Sequence, residues 1–152
     1  ELMPDLYQYT IDRDSTTLWS VNQSKFRPDL TVIYLGANDF SGWMMPDNKK
    51  FNKGYLSILS EIKANYGEDH PILCMTPGPY EFLFLYVRDV VNNGGMKNVY
   101  FLGHCPMIHN ETNEDLGAGW HPNYNGQLKI AHALIPYIAT ITGWGLQDVP
   151  VK

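Results

Sequence analysis

Short, strongly apolar runs alternate with longer stretches of helical periodicity along most of this 152-residue chain. Leu30-Thr31-Val32-Ile33-Tyr34-Leu35 is β-branched, apolar apart from Thr31, and stops at Gly36. Pro71 to Thr76 repeats the pattern and ends on Pro77-Gly78-Pro79; Asn98 to Gly103 is a third copy. Runs without polar alternation suit strands covered on both faces, as in a parallel sheet. Between the first two runs, Phe51, Tyr55, Ile58, Leu59, Ile62 and Tyr66 trace one face of a helix. Between the second and third, Tyr80 to Asn92 carries Leu85, Val87, Val90 and Val91 and halts at Gly94-Gly95. A last helix is predicted from near Asn125 to Thr142, burying Leu128, Ala131, Ile135 and Ile138 and kinked by Pro136. The order β-α-β-α-β-α predicts an α/β domain built on a parallel sheet.

The chain before Leu30 is different. Met3 to Tyr9 reads as a short helix, and Asp12 to Arg27 as a polar loop punctuated by Leu18 and Trp19. A strand as apolar as Leu30–Leu35 belongs in the middle of a sheet, with neighbours on both sides. At an edge it would offer unpaired backbone groups to any other chain. No upstream run supplies its neighbour, so another polypeptide segment is expected to complete the sheet.

Composition narrows the classes. Hydrophobic residues at 44% and charged residues at 18% are ordinary globular values. A formal net charge of −5 argues against nucleic acid or an anionic membrane as partner. No apolar run approaches the roughly 20 residues of a membrane span, and Glu1 to Asp5 is not a secretory signal. Ten Tyr and four Trp serve core filling or a carbohydrate-stacking surface alike. Cys74 and Cys105 each end an apolar run, compatible with a bridge between strand ends or with two buried thiols.

Two blocks carry candidate chemistry. Gly36-Ala37-Asn38-Asp39-Phe40 directly follows the first strand, and ligands of open α/β sheets gather outside the carboxyl ends of strands. An Asn amide there can donate to a developing oxyanion, whereas Asp39 suits a turn cap. Trp120-His121-Pro122 opens the last helix, and an imidazole in that place can serve as general base for a serine hydroxyl. His70 lies in a polar loop and His132 within a helix. His104, His109 and Glu111 lack a recognised ligand spacing, so neither a metal nor a cofactor is expected. None of Ser15, Ser20, Ser24, Ser41, Ser57 and Ser60 lies in a nucleophile motif. A base and an oxyanion donor are legible; their nucleophile is not.

Read together, Pro28 to Ser41 and Gly119 to Gln127 resemble the SGNH/GDSL hydrolases, closest to the carbohydrate esterase family 2 branch of acetylxylan-esterase-like enzymes. Met3-Pro4-Asp5-Leu6-Tyr7, Trp19 and Gly143-Trp144 extend the similarity along nearly the whole chain. The resemblance implies a three-layer α/β/α flavodoxin-like fold, with residues 1–152 as the C-terminal portion of one domain whose first strands lie elsewhere. It implies Asn38 as oxyanion donor and His121 as base, with Trp120 and Trp43 as cleft walls. The family's Ser and Gly blocks have no counterpart here, and Gly36 does not take the Gly role. Ala118 stands where many of these enzymes place an Asp, three residues before the His; the family 2 branch works with a Ser–His dyad, its imidazole oriented by a backbone carbonyl. The implied activity is O-acetyl ester hydrolysis on a glycan, outside the cell or in the secretory pathway. The Ser would come from an N-terminal segment of the same precursor or a complementary chain. A non-catalytic glycan-binding or assembly subunit of the same fold is the alternative, and a lipid or small-ester hydrolase a third reading.

Overall fold

A computed structural model describes residues 3–9, 16–19, 26–40, 45–77, 80–104 and 114–146, without the side chains of His104 and Trp120. Its elements are α1 (Met3–Leu6), β1 (Thr31–Ile33), α2 (Asn48–Tyr66), β2 (Ile72–Thr76), α3 (Glu81–Asn93), β3 (Val99–His104) and α4 (Tyr124–Thr142). Among the described residues the strands form one parallel sheet in the order β1-β2-β3. The α/β architecture and the parallel sheet read from the sequence are thus present. β1 is shorter than the apolar run that announced it and lies at an edge.

Side-chain alternation sorts the strands into two faces. Thr31, Ile72 and Val99 pair across the sheet, as do Ile33, Cys74 and Phe101. Ile33, Ile72, Cys74, Val99 and Phe101 pack against α2 and α3, through Tyr55, Ile58, Leu59, Ile62, Leu83, Val87 and Val90. The opposite face carries Met75 and Leu102, covered by Ile130 and Leu134 of α4. Helices therefore lie on both sides of the sheet, in three layers.

Local chemistry explains the helix limits. Asp47 caps α2 by accepting from the Lys50 backbone N–H at 2.8 Å, and Gly67 ends the helix. α3 stops at Gly94, as expected, although Leu83 rather than Leu85 is its buried leucine. Asn123 caps α4 by accepting from Gly126 N–H at 3.1 Å, and the helix runs through Pro136 to Gly143.

The predicted inner face of α4 needs correction. Ala131 is exposed, Ile135 is 46% exposed, and Leu128 and Ile138 are half-buried, while Ile130 and Leu134 meet the sheet. α4 is apolar on more than one side, and the side read from the sequence is the one the described chain leaves uncovered. Of the thiol alternatives, Cys74 is a buried free thiol whose pKa burial pushes up to about 12; Cys105 lies outside the described residues.

Candidate active site

Asn38 sits in a 3-10 turn over Ala37–Phe40, immediately beyond the carboxyl end of β1. Gly36 makes the exit from the strand practicable. Its φ is +109°, and a Cβ there would lie 2.5 Å from Leu83 Cδ1 at the start of α3. The Asp39 N–H donates to the Gly36 carbonyl at 3.0 Å and closes the turn. Phe40 then anchors it, with its ring 5.7 Å from Phe51 and 5.5 Å from Tyr86 in edge-on contacts. The Tyr86 hydroxyl donates to the Pro46 carbonyl at 3.3 Å, tying α3 to the start of α2. Asn38 is exposed on this braced turn.

His121 lies between β3 and α4, just ahead of the helix. Its backbone is held on both sides: its carbonyl accepts from Gly117 N–H at 2.7 Å, and its N–H donates to Ala118 at 3.3 Å. Gly119 takes a left-handed conformation (φ +62°) beneath the ring, so that a Cβ there would be 3.5 Å from His121 Cδ2. A side chain at 119 would be strained by this backbone conformation, although its Cβ would only touch the imidazole at ordinary contact distance.

A buttress behind this turn was not foreseen in the sequence. Asp115 is buried and pairs with Lys129 of α4 at 2.5 Å. Its carbonyl accepts from Asn123 N–H at 2.9 Å, and Asn123 Nδ2 donates to the carbonyls of Glu114 (2.8 Å) and Leu116 (3.1 Å). Asn123 thus caps the helix and clamps the loop that carries His121. The helix-capping pattern at Asn123 was a usable signal; Asp115 left none, because its partner is fourteen residues away. The Asp115 carboxylate therefore braces the loop through Lys129.

Asn38 follows the carboxyl end of β1, and His121 precedes α4, whose other end at Ile141 and Thr142 lies beside Asp29, Asp69 and Asn98 at the strand starts, so that both residues lie toward the carboxyl-terminal edge of the parallel sheet. The His121 imidazole is exposed and makes no hydrogen bond to any described residue. Residues 105–113, just upstream, lie outside the description, as do Trp43, Ser41 and His109. Trp120 ends the 3-10 turn before His121, and its side chain is likewise outside. Of the other serines, Ser57 and Ser60 belong to α2, where the Ser60 hydroxyl donates to the Leu56 carbonyl at 2.8 Å. A cavity of about 410 Å³ opens beside the Asn38 turn, lined by Leu35, Gly36, Asp39, Lys50, Phe51 and Tyr55 among others. It lies toward α2, and His121 is not part of its wall.

Among the described residues no cluster of three His, Cys, Asp or Glu side chains is arranged to hold a metal ion. His70, left in a polar loop by the sequence reading, is buried at the other end of the sheet, with Nε2 2.9 Å from Thr31 Oγ1. Burial, and then the Lys63 ammonium, hold its pKa below the usual histidine value, with Asp29 opposing.

No protein-family model matches the chain. It is 33% identical over 150 residues to the cellulase/esterase CelE of Acetivibrio thermocellus, covering 94% of this chain and 18% of that protein. A family two carbohydrate esterase from Clostridium thermocellum, solved in complex with cellohexaose, superposes with a TM-score of 0.81 at 31% identity, over 95% of this chain and 44% of that one. A family 2 enzyme with a carbohydrate-binding domain from Corynascus thermopiles (Myceliophthora fergusii) shares the fold, with a TM-score of 0.76 at 20% identity, covering 95% of this chain and 46% of that one. An acetyl xylan esterase from the rumen bacterium Butyrivibrio proteoclasticus does so at 0.67 and 18% identity, covering 85% and 40%. The chain spans less than half the length of the solved relatives and about a fifth of the curated one. Along 95% of its length, this chain has the α/β fold of a family two carbohydrate esterase and resembles that family in sequence.

Proposed function

We propose that this chain is the C-terminal part of an SGNH-type O-acetyl esterase acting on a glycan, with its nucleophilic Ser supplied by an upstream segment or a complementary chain. The observation that carries the reading is the placement of Asn38 and His121 at one edge of the sheet, each on a braced turn. Similarity to esterases at 31–33% identity supports the reaction class. The exposed edge of β1 supports a missing neighbour strand, because Val32 is 40% exposed in a run whose composition suits burial.

In this mechanism the His121 imidazole takes the Ser hydroxyl proton as the oxygen attacks the acetyl carbonyl. The Asn38 amide donates to the resulting oxyanion. Collapse expels the sugar oxygen, which takes the proton from the imidazolium, and leaves an acetyl-enzyme. Water, deprotonated by His121, then releases acetate and restores the Ser. Trp43 and Trp120 are assigned as walls of the sugar cleft. A glycan substrate goes with a location outside the cell or in the secretory pathway. No helix among the described residues is long and apolar enough to cross a membrane.

The test is turnover of a small acetyl ester by the protein completed with its upstream segment. His121→Ala is expected to lower kcat by about 10³-fold or more, and Asn38→Ala by about 10²-fold. Unchanged turnover in His121→Ala would remove the assigned base. A serine-directed fluorophosphonate that fails to label the completed, folded protein would favour the non-catalytic glycan-binding subunit.

A further inference from the structure

We propose that Tyr86 of α3 is a positioning residue for the Asn38 amide, acting on it through Phe40. Its effect on catalysis rests on the esterase reading; its hold on the turn rests on the geometry of this chain alone. An oxyanion donor works only if its amide already waits where the charge develops, and a misplacement of about 1 Å is costly. Asn38 is exposed on a four-residue turn, so its place depends on how the two ends of that turn are held.

Both ends are set by α3. At the front, the Gly36 carbonyl accepts from Asp39 N–H at 3.0 Å, and Leu83 of α3 lies so close that a Cβ at Gly36 would be 2.5 Å from its Cδ1. At the rear, the Phe40 ring meets Tyr86 at 5.5 Å and 69°, and Phe51 of α2 at 5.7 Å and 71°. Tyr86 and Phe51 meet each other at 5.6 Å. Three rings in mutual contact, two of them carried by different helices, leave Phe40 little freedom. Tyr86 adds what Phe51 does not, because its hydroxyl donates to the Pro46 carbonyl at 3.3 Å. One side chain thus grips the backbone at Phe40 and again at Pro46, just ahead of the Asp47 cap of α2. Leu83 and Tyr86 are three residues apart and share one face of α3. That face is a template for the Asn38 turn.

Hydrogen exchange of the Asp39 amide, read by NMR on this chain, tests the grip directly. Tyr86→Leu is expected to speed it about tenfold, and Tyr86→Phe, which keeps the ring, about threefold. In the completed protein acting on a small acetyl ester, Tyr86→Leu should lower kcat about tenfold and leave KM within about twofold. Tyr86→Phe should restore most of that loss. In an Asn38→Ala background, Tyr86→Leu should lower kcat no further, because the group it positions is gone. A full loss that persists in that background overturns the proposal, since Tyr86 would then act on the fold at large. Unchanged Asp39 exchange in Tyr86→Leu overturns it as well. A completed protein without turnover, in which Tyr86→Leu still frees the Asp39 amide, rejects the esterase reading and keeps the grip on the turn.

Discussion

The two faces of the sheet are built from the same strands and have opposite fates. Ile33, Cys74 and Phe101 lie in one cross-strand row under α2 and α3 and belong to the main core. Val32, Leu73 and Tyr100 form a neighbouring row on the other face, where the central Leu73 is fully buried while Val32 and Tyr100 remain about 40% exposed. The strands themselves do not decide this. What decides it is the layer above: two helices cover one face across its width, and α4 covers only the middle of the other. Among the described residues one face is fully covered, and the other is covered only in part.

The largest expected effect therefore falls on the complete side. Lys63 is 3% exposed, on the core-facing side of α2, with its ammonium shared among three carbonyls. Lys63→Met leaves those acceptors without a donor and should cost about 3–5 kcal/mol in urea unfolding. Leu59→Ala, beside it in the main core, should cost about 3 kcal/mol. A loss below 1 kcal/mol in both would show that this layer is not what holds the fold.

On the partly covered side the expected effect is smaller. Asp115→Asn weakens the pair with Lys129 and loosens the clamp behind His121. It should cost about 1–2 kcal/mol, and under the proposed esterase mechanism it should lower kcat more than it raises KM, because the residue it displaces is the proposed base.

A still smaller effect is a pH dependence on the complete side. His70 has a folded-state pKa below its ordinary value, chiefly through burial. Between that lowered value and about 6.5, the unfolded chain binds a proton that the folded chain does not. Stability is then full above pH 6.5 and declines as pH falls through the folded-state pKa. His70→Gln should flatten the unfolding-midpoint profile across that window relative to the parent, and an identical slope would mean that His70 binds its proton equally well in the folded and unfolded chains.

The same contrast explains what could be read from the sequence. The strands and the helices between them were legible because both of their partners are local: the inner faces of α2 and α3 meet strands of the same chain. Asn38 and His121 were legible as blocks, and the turns that hold them follow from Gly36, Gly119 and the Asn123 cap. Lys63 was not legible, because a lysine beside Leu59 and Ile62 gives no hint that three carbonyls await its ammonium. α4 misled for a different reason. A helix apolar on two sides does not say which side docks, and the pattern through Leu128, Ala131, Ile135 and Ile138 marked a side that is only partly covered in this structure.

That reading makes the smallest effect the sharpest test. Ile135→Ser removes an apolar side chain that the described chain leaves 46% exposed. In this chain it should change the unfolding free energy by less than about 0.5 kcal/mol. In a protein that includes the segment completing the sheet, the same substitution should cost about 1.5–3 kcal/mol, the cost of losing a covered isoleucine. Val32→Thr should follow it in sign, because Val32 is likewise exposed, at 40%, on the sheet face that α4 covers only in part. Equal and small effects in the short and completed proteins would mean that nothing docks there. The exposed flank of α4 would then be ordinary surface, and the unpaired edge of β1 would have to be explained without a covering segment.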